Sequence, residues 1–539
     1  MRQSQANRFE QQFTQHVSNQ SSKWVGAIPM VMPILRTLQV AEIVDEHCPG
    51  REAVNHGTSV AVLALNRLLS PKPLYKIEEW MRGTMLEEAL EVTADQMYDS
   101  RLGRTLDDIH PRLPSIWQEV VVQAVMAYNI DLSQFHYDIT SLYFEGEYDQ
   151  HPEGTRMVDY GYSRDHRPDA KQVNLGVNVT GEEGIPLVYR VLSGRTADRT
   201  TPLENMAALR QLLERPELAE KADDFLLVSD RAMLDRSVLV TYAEQDVHWL
   251  GPLAADGHLG EVLSSVTEAE LDQQPLDYRP TSQPDRDPLR YHGVLRQVML
   301  EHDDQEVPIQ VLVVRSRTKA KLDREKRQTY LKRLTDRLEK IASMLNIRRY
   351  KRRAYTQQQI DKALAGNPAK RLVDVDLAGE DGNLSLTFAV NEERLAQAAA
   401  LDGRYLVGTN QFTLDAHQML RRFKRQEGVE RRFKTIKGPI QVRPLFLHKQ
   451  ERIDGLVFVS MVALLLYTIL EMLCRRNGQH ITARQVLERF ELLSATCLQF
   501  ADGSSLMLTS ALNKTQQQLI DLLKFPPPGS YFQPAEATT

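Results

Sequence analysis

Hydrophobic and polar positions alternate most clearly in the segment Gln134-Phe-His-Tyr-Asp-Ile-Thr-Ser-Leu-Tyr-Phe144. Phe135, Tyr137, Ile139 and Tyr143 fall on one face of an extended chain; Gln134, His136, Asp138 and Thr140 fall on the other. This pattern predicts a strand over 134–146, and similar apolar runs predict strands over 173–179, 187–192, 225–229 and 248–250. Thr180-Gly-Glu-Glu-Gly-Ile-Pro186 reads as a hairpin turn, and helical spacing covers 201–215 and 232–243. Three meandering strands, then helix, strand, helix and strand, is the order of a ribonuclease H-like α/β core. A doubly wound dinucleotide fold would alternate strand and helix from the start and carry a Gly-rich first turn; neither is present.

The remaining pattern is different. Residues 1–128 read as a helical N-terminal domain, with amphipathic turns at 28–47, an apolar helix at 58–69 and further helices over 102–129. They suit either a DNA-binding head of helix-turn-helix type or a helical packing module. The core then occupies 129–250. Residues 251–400 interrupt it as an α+β insertion domain, with strands at 293–301, 307–314 and 384–390 and a Pro/Asp-rich loop at 274–288. Residues 401–475 return to the core through a strand near 405–408 and a basic helix, Arg422 to Lys437. Residues 476–539 form a C-terminal helical region ending in a tail from Phe525-Pro-Pro-Pro-Gly that reads as disordered. The run Gly455–Leu473 is almost long enough to span a bilayer. It contains Ser460 and Glu471 and stands alone in a polar chain, so it reads as a core helix and no membrane is expected.

Composition changes this picture at one place. The net charge is −6, which argues mildly against a nucleic-acid binder. Yet residues 315–353 hold sixteen Lys or Arg against four Asp or Glu, a local +12 that leaves −18 for the rest. Within it, Arg348, Arg349, Lys351, Arg352 and Arg353 are dense enough to suggest DNA phosphate contacts. Cys48, Cys474 and Cys497 show neither metal-ligand nor disulfide spacing, and the first residues lack the apolar core of a signal peptide. A reducing cytoplasm is the expected location.

The candidate chemistry rests on carboxylates. Asp138 lies on a strand that alternation should bury, and a buried carboxylate is costly unless paired, hydrogen-bonded or bound to metal. Asp230 ends the run Phe225-Leu-Leu-Val-Ser-Asp230, and Glu430 lies on the basic helix. Together they suit two divalent ions, Mg2+ or Mn2+, held roughly 3.5–4 Å apart for work on phosphate. Each has a plainer reading: Asp230 as a strand end capping the next helix, Glu430 as an i,i+4 partner of Lys434. On the helix, Phe423, Gln426, Glu430, Lys434 and Lys437 form one stripe, with Val429, Phe433 and Ile436 on the adjoining face. His136 reads as structural; Asp165, Asp169 and Asp235 read as solvated charges. No Walker loop, GxSxG or zinc-finger spacing occurs.

Taken together, these residues resemble bacterial insertion-sequence transposases of the DDE class, in the cut-and-paste group with the signature Y-x2-R-x3-E-x6-K. The matching stretches are Tyr137-Asp-Ile-Thr-Ser, Gly161-Tyr-Ser-Arg-Asp-His-Arg-Pro-Asp-Ala-Lys-Gln-Val173, Gly184-Ile-Pro-Leu, Gly194-Arg-Thr-Ala-Asp-Arg-Thr200, Val228-Ser-Asp-Arg-Ala-Met-Leu234, and the Glu430–Lys437 helix followed by Arg443-Pro444. The resemblance implies Asp138, Asp230 and Glu430 as catalytic and metal-binding residues and Lys437 as the signature lysine; Arg425 and Lys434, on the same basic helix, are expected as further DNA contacts. It implies cleavage at transposon ends and strand transfer by the freed 3′-hydroxyl. The partners would be double-stranded DNA, both terminal inverted repeats and target, bound by a homodimer near the bacterial nucleoid. Phe423 and Gln426 replace the signature tyrosine and arginine. The alternatives are a domesticated DNA-binding protein and a ribonuclease H-like nuclease without strand transfer.

Overall fold

The computed structural model describes residues 17–50, 54–145, 157–164, 167–222, 224–280, 287–442, 447, 449–501 and 503–531. Asp165, Arg443-Pro444, residue 146 of the first expected strand, part of the 274–288 loop and the tail beyond 531 lie outside the described residues. The chain forms two compact units, Met1–Met233 with Arg425–Thr539, and Leu234–Lys424.

The first unit contains a mixed sheet. Strand Gln134–Tyr143 pairs antiparallel with Gln172–Thr180, which pairs antiparallel with Pro186–Ser193. On its other side Gln134–Tyr143 pairs parallel with Leu226–Ser229. Three antiparallel strands followed by a parallel one beside the first is the arrangement expected of a ribonuclease H-like core. Both faces of the first strand are buried, with Asp138 and Tyr143 only half so. The alternation read from the sequence therefore separates two covered faces, not core from solvent.

The N-terminal helices are built around the apolar run. Helix Gln450–Arg476 is long and apolar enough to cross a membrane, but almost all of it is buried in this unit. Helices Ile28–Thr37, His56–Leu69, Asp99–Ile109 and Leu113–Tyr128 pack against it, as does strand Pro186–Ser193. Trp117 joins the three layers. Its ring meets Tyr189 and Phe458 edge-on at 5.2 and 6.4 Å, and its Nε1–H donates to the Leu187 carbonyl at 2.8 Å.

One N-terminal expectation fails. Val17–Trp24 is a strand, not part of a helical domain, and pairs with Ser494–Phe500, which pairs with Ser505–Thr509. The sequence Val-Ser-Asn-Gln-Ser-Ser-Lys-Trp has no apolar face for a helix to bury, and its strand partner lies far away in the chain.

The second unit contains antiparallel strands in the order His248–Leu253, Arg404–Thr409, Gln305–Ser316, Leu289–His302 and Pro275–Tyr278. A satellite follows, comprising helices Arg317–Ser343 and Arg353–Leu364 and the hairpin Val373–Glu380 with Asn383–Val390. Leu334, Leu338, Ile341, Ile360, Val373 and Leu377 belong to its separate core.

Candidate active site

The parallel pairing ends at Tyr137 opposite Ser229, so the next residues stand side by side: Asp138, midway along its strand, and Asp230, just past the end of its own. Neighbouring strands lie about 4.8 Å apart. Like charges this close disfavour ionisation of both groups. Asp138 feels it: burial pushes its carboxyl up to about 7, and Asp230 pushes the same way, while the Ile139 N–H and the Arg164 charge oppose them. That N–H donates to Asp138 Oδ1 at 2.7 Å. Asp230 is exposed and accepts a bond from Gln426 Nε2 at 3.2 Å. It directly precedes the short 3-10 turn Arg231–Met233, whose Met233 N–H donates to the Asp230 carbonyl. The longer helix that follows, Arg236–Glu244, is capped by Asp235, which accepts from the Ser237 N–H at 3.2 Å and so is a cap and not merely a solvated charge.

The expected continuous helix over 422–437 is two helices, Ala416–Lys424 and Glu427–Lys437, broken by a turn at Arg425–Gln426. Gly428 and Val429 donate to the carbonyls of Arg425 and Gln426, three residues back, where a running helix would bond four back. Gly428 is a poor helix former and accounts for the weak point. The stripe through Phe423 and Gln426 is therefore interrupted before it reaches Glu430. Phe423 lies 6.4 Å from the Tyr405 ring, and Lys424 Nζ stands over Tyr291, Tyr405 and Phe423 at 5.1–5.7 Å.

Helix Glu427–Lys437 packs on strands Gln134–Tyr143 and Gln172–Thr180 and buries Val429, Phe433 and Ile436, the face expected. A group missed in the sequence fixes it further. Arg432 is fully buried and donates to Glu471 Oε2 at 2.6 Å, the Gly184 carbonyl at 2.9 Å and the Glu183 carbonyl at 2.7 Å. Gly184 has φ +66°, and a Cβ there would meet Arg432 Nε at 2.9 Å. Two residues are about 200° of helical turn, so anchoring Arg432 inward leaves Glu430 outward and exposed. The available signal was an arginine between Val429 and Phe433 matched to a lone Glu471 in an apolar run.

The structure thus brings Asp138 and Asp230 together and places Glu430 on a helix packed against the Asp138 strand. Among the described residues, no three His, Cys, Asp or Glu side chains stand close enough to hold a metal ion. The Asp138–Asp230 pair still suits one: hard oxygen donors, one partly desolvated, are what Mg2+ or Mn2+ takes. Arg164 and Asp198, paired with each other, act on the Asp138 charge and were not singled out from the sequence. His136 is fully buried beside Gln134, and burial pushes its imidazole down to about 3, so it is neutral.

The expected DNA contacts separate. Lys434 is exposed and Lys437 half-buried, while Arg425 pairs with Glu182 at 3.3 Å. In the other unit, Arg348, Arg349, Lys351, Arg352 and Arg353 are all exposed, at a single turn and the start of helix Arg353–Leu364. Arg353 also braces the fold. Its Nη1 donates to the Gly379 carbonyl at 2.7 Å and its backbone N–H to Asp381 Oδ1 at 2.8 Å.

A family model described as a domain of unknown function (DUF4277) matches residues 20–121. No curated protein matches. Among solved structures, the chain is similar to a piggyBac transposase synaptic complex with hairpin DNA, at 8% identity and a TM-score of 0.41, covering 85% of this chain and 79% of that one. It is also similar to a pre-cleavage Mos1 transpososome, at 14% identity and a TM-score of 0.16, covering 40% of this chain and 63% of that one.

Proposed function

We propose that this chain is a DNA transposase that cuts phosphodiester bonds at the ends of a mobile element and joins the freed 3′-hydroxyl to target DNA. The observation that carries the reading is the side-by-side placement of Asp138, midway along its strand, and Asp230, just past the end of the neighbouring parallel strand, with Glu430 on a helix packed against the Asp138 strand. These three would hold divalent metal ions, which when bound activate the attacking oxygen and steady the leaving one. Gln426 orients Asp230, and Arg432 fixes the helix that carries Glu430. Lys434 and Lys437, on that same helix, would hold DNA phosphates. Water is the first nucleophile and the 3′-hydroxyl the second.

The test is excision and joining from a plasmid carrying this gene with its native flanking sequence, in Mg2+. Asp138→Ala, Asp230→Ala and Glu430→Ala should each abolish cleavage and leave DNA binding largely intact. Near-normal cleavage by one variant removes that residue from the site. Cut DNA with no joined product would reassign the chain as a nuclease without strand transfer. Binding without any cutting by the unaltered protein would leave a DNA-binding protein.

A further inference from the structure

Strand Gln134–Tyr143 continues past Asp138 for five residues, roughly 17 Å at 3.3–3.4 Å each. The segment 157–164 lies near the end of this strand, since Asp159 pairs with Gln172, the partner of Tyr143. Among the described residues it carries two well-exposed large aromatic side chains: Tyr160 is 53% and Tyr162 83% exposed.

Their backbone is firmly held. Asp159 exchanges both backbone bonds with Gln172, and the Gly194 N–H donates to the Met157 carbonyl. Gln172 Nε2 donates to the Tyr162 carbonyl at 3.1 Å. Asp159 is buried, paired with Arg195 at 2.7 Å, and accepts the Tyr160 N–H. Gly161 lies so close to Gly194 that a Cβ would meet its carbonyl oxygen at 1.9 Å. A tightly fixed backbone that turns two phenol rings outward leaves apolar surface in water with no folding benefit. One cation meets a ring directly: Lys171 Nζ stands 5.7 Å from the Tyr160 ring centre. Arg167 lies over Tyr143 at 5.0 Å and pairs with Asp169, and the Arg195 side chain, paired with Asp159, is 75% exposed.

We propose that Tyr160 and Tyr162 form a stacking platform for unpaired DNA bases a few nucleotides from the bond cut at Asp138, with Lys171 the cation beside it for the phosphates. The inference rests on the DNA-cutting reading for its partner. Aromatic faces flanked by cations are the means by which proteins hold single strands without reading sequence. The reach suits it: the Tyr162 carbonyl accepts from Ser141 Oγ at 3.5 Å, and Ser141 lies three residues past Asp138, about 10 Å along the strand, or about three steps of a stacked strand at about 3.4 Å per nucleotide.

The test uses the full chain in EDTA, with fluorescence anisotropy of a labelled oligo-dT and of a blunt duplex of the same length. Tyr160→Ala and Tyr162→Ala should each weaken oligo-dT binding at least fivefold, and the double variant more. Tyr160→Phe and Tyr162→Phe should stay within twofold of the unaltered protein, and duplex binding should hardly change. Thermal melts within about 2 °C confirm that these exposed substitutions leave the fold intact. Unchanged oligo-dT affinity in the double alanine variant overturns the platform, as does an equal loss on duplex. Failure of the wider reading looks different: tyrosine-dependent binding of oligo-dT by a protein that never cuts DNA keeps the platform and removes the nuclease.

Discussion

At the scale of single residues, Asp138 links burial to metal binding. Its carboxyl is held at about 7 in the folded state, against about 3.9 in an unfolded chain. Below pH 4 both states are protonated and the shift has no effect. As pH rises towards 7 the unfolded chain loses its proton first, so the fold loses stability, up to roughly 4 kcal/mol at about 1.36 kcal/mol per unit. Asp138→Asn removes this slope. The variant should melt at the same temperature as the native chain near pH 4 and higher above pH 7. Mg2+ should close that gap at pH 8 by stabilising only the native chain, since a metal ligand must be ionised. Equal pH dependence of the two melting curves would show that Asp138 ionises normally. Asp138 was legible because a carboxylate interrupts a strand pattern. Arg164 and Asp198, which modulate its charge, fall within the quoted stretches 161–173 and 194–200 but gained no role there, because their approach to the strand leaves no periodic trace.

At the scale of elements, the Glu430 helix shows which parts of a local pattern survive folding. Its buried face, Val429, Phe433 and Ile436, follows from helical spacing alone. Its start does not, since the break at Arg425–Gln426 depends on a glycine and on bonds formed in the folded chain. Nor does its anchor, for Arg432 and Glu471 are 39 residues apart and each looks misplaced alone. Removing one member of a buried ion pair strands the other charge, at a cost of about 3–5 kcal/mol. Arg432→Met should lower the urea midpoint accordingly, and adding Glu471→Leu should recover much of the loss. Additive losses in the double variant would mean that the two side chains stabilise the fold independently. The pairing of Arg425 with Glu182 bears on DNA handling too. A cation already paired gains less from a phosphate, so Lys437→Ala should slow processing of DNA ends more than Arg425→Ala does; the reverse order in a cleavage time course would make Arg425 the main phosphate contact.

At the scale of the whole molecule, the chain order conceals the assembly most strongly. The strand Val17–Trp24 has no meaning until Ser494–Phe500 pairs with it. The apolar run Gly455–Leu473, ambiguous by length, is resolved as a core helix by the N-terminal helices that cover it. Charge, by contrast, needs no distant partner to be read, and the basic excess at 315–353 lies on a satellite with its own core. That separation makes the cluster testable without disturbing the carboxylates. Because Arg353 already secures the 379–382 turn, the four residues Arg348, Arg349, Lys351 and Arg352 are the proper set for removal. Each phosphate contact releases counterions and adds roughly 0.9 to the slope of log affinity against log salt. Replacing the four with Gln should flatten that slope by up to about 3.6, with little effect on the melting temperature. Arg353→Gln alone should instead lower the melting temperature and change the slope by about 0.9 at most. An unaltered slope in the fourfold variant would assign the cluster to something other than DNA, the acidic remainder of the chain being the nearest opposite charge.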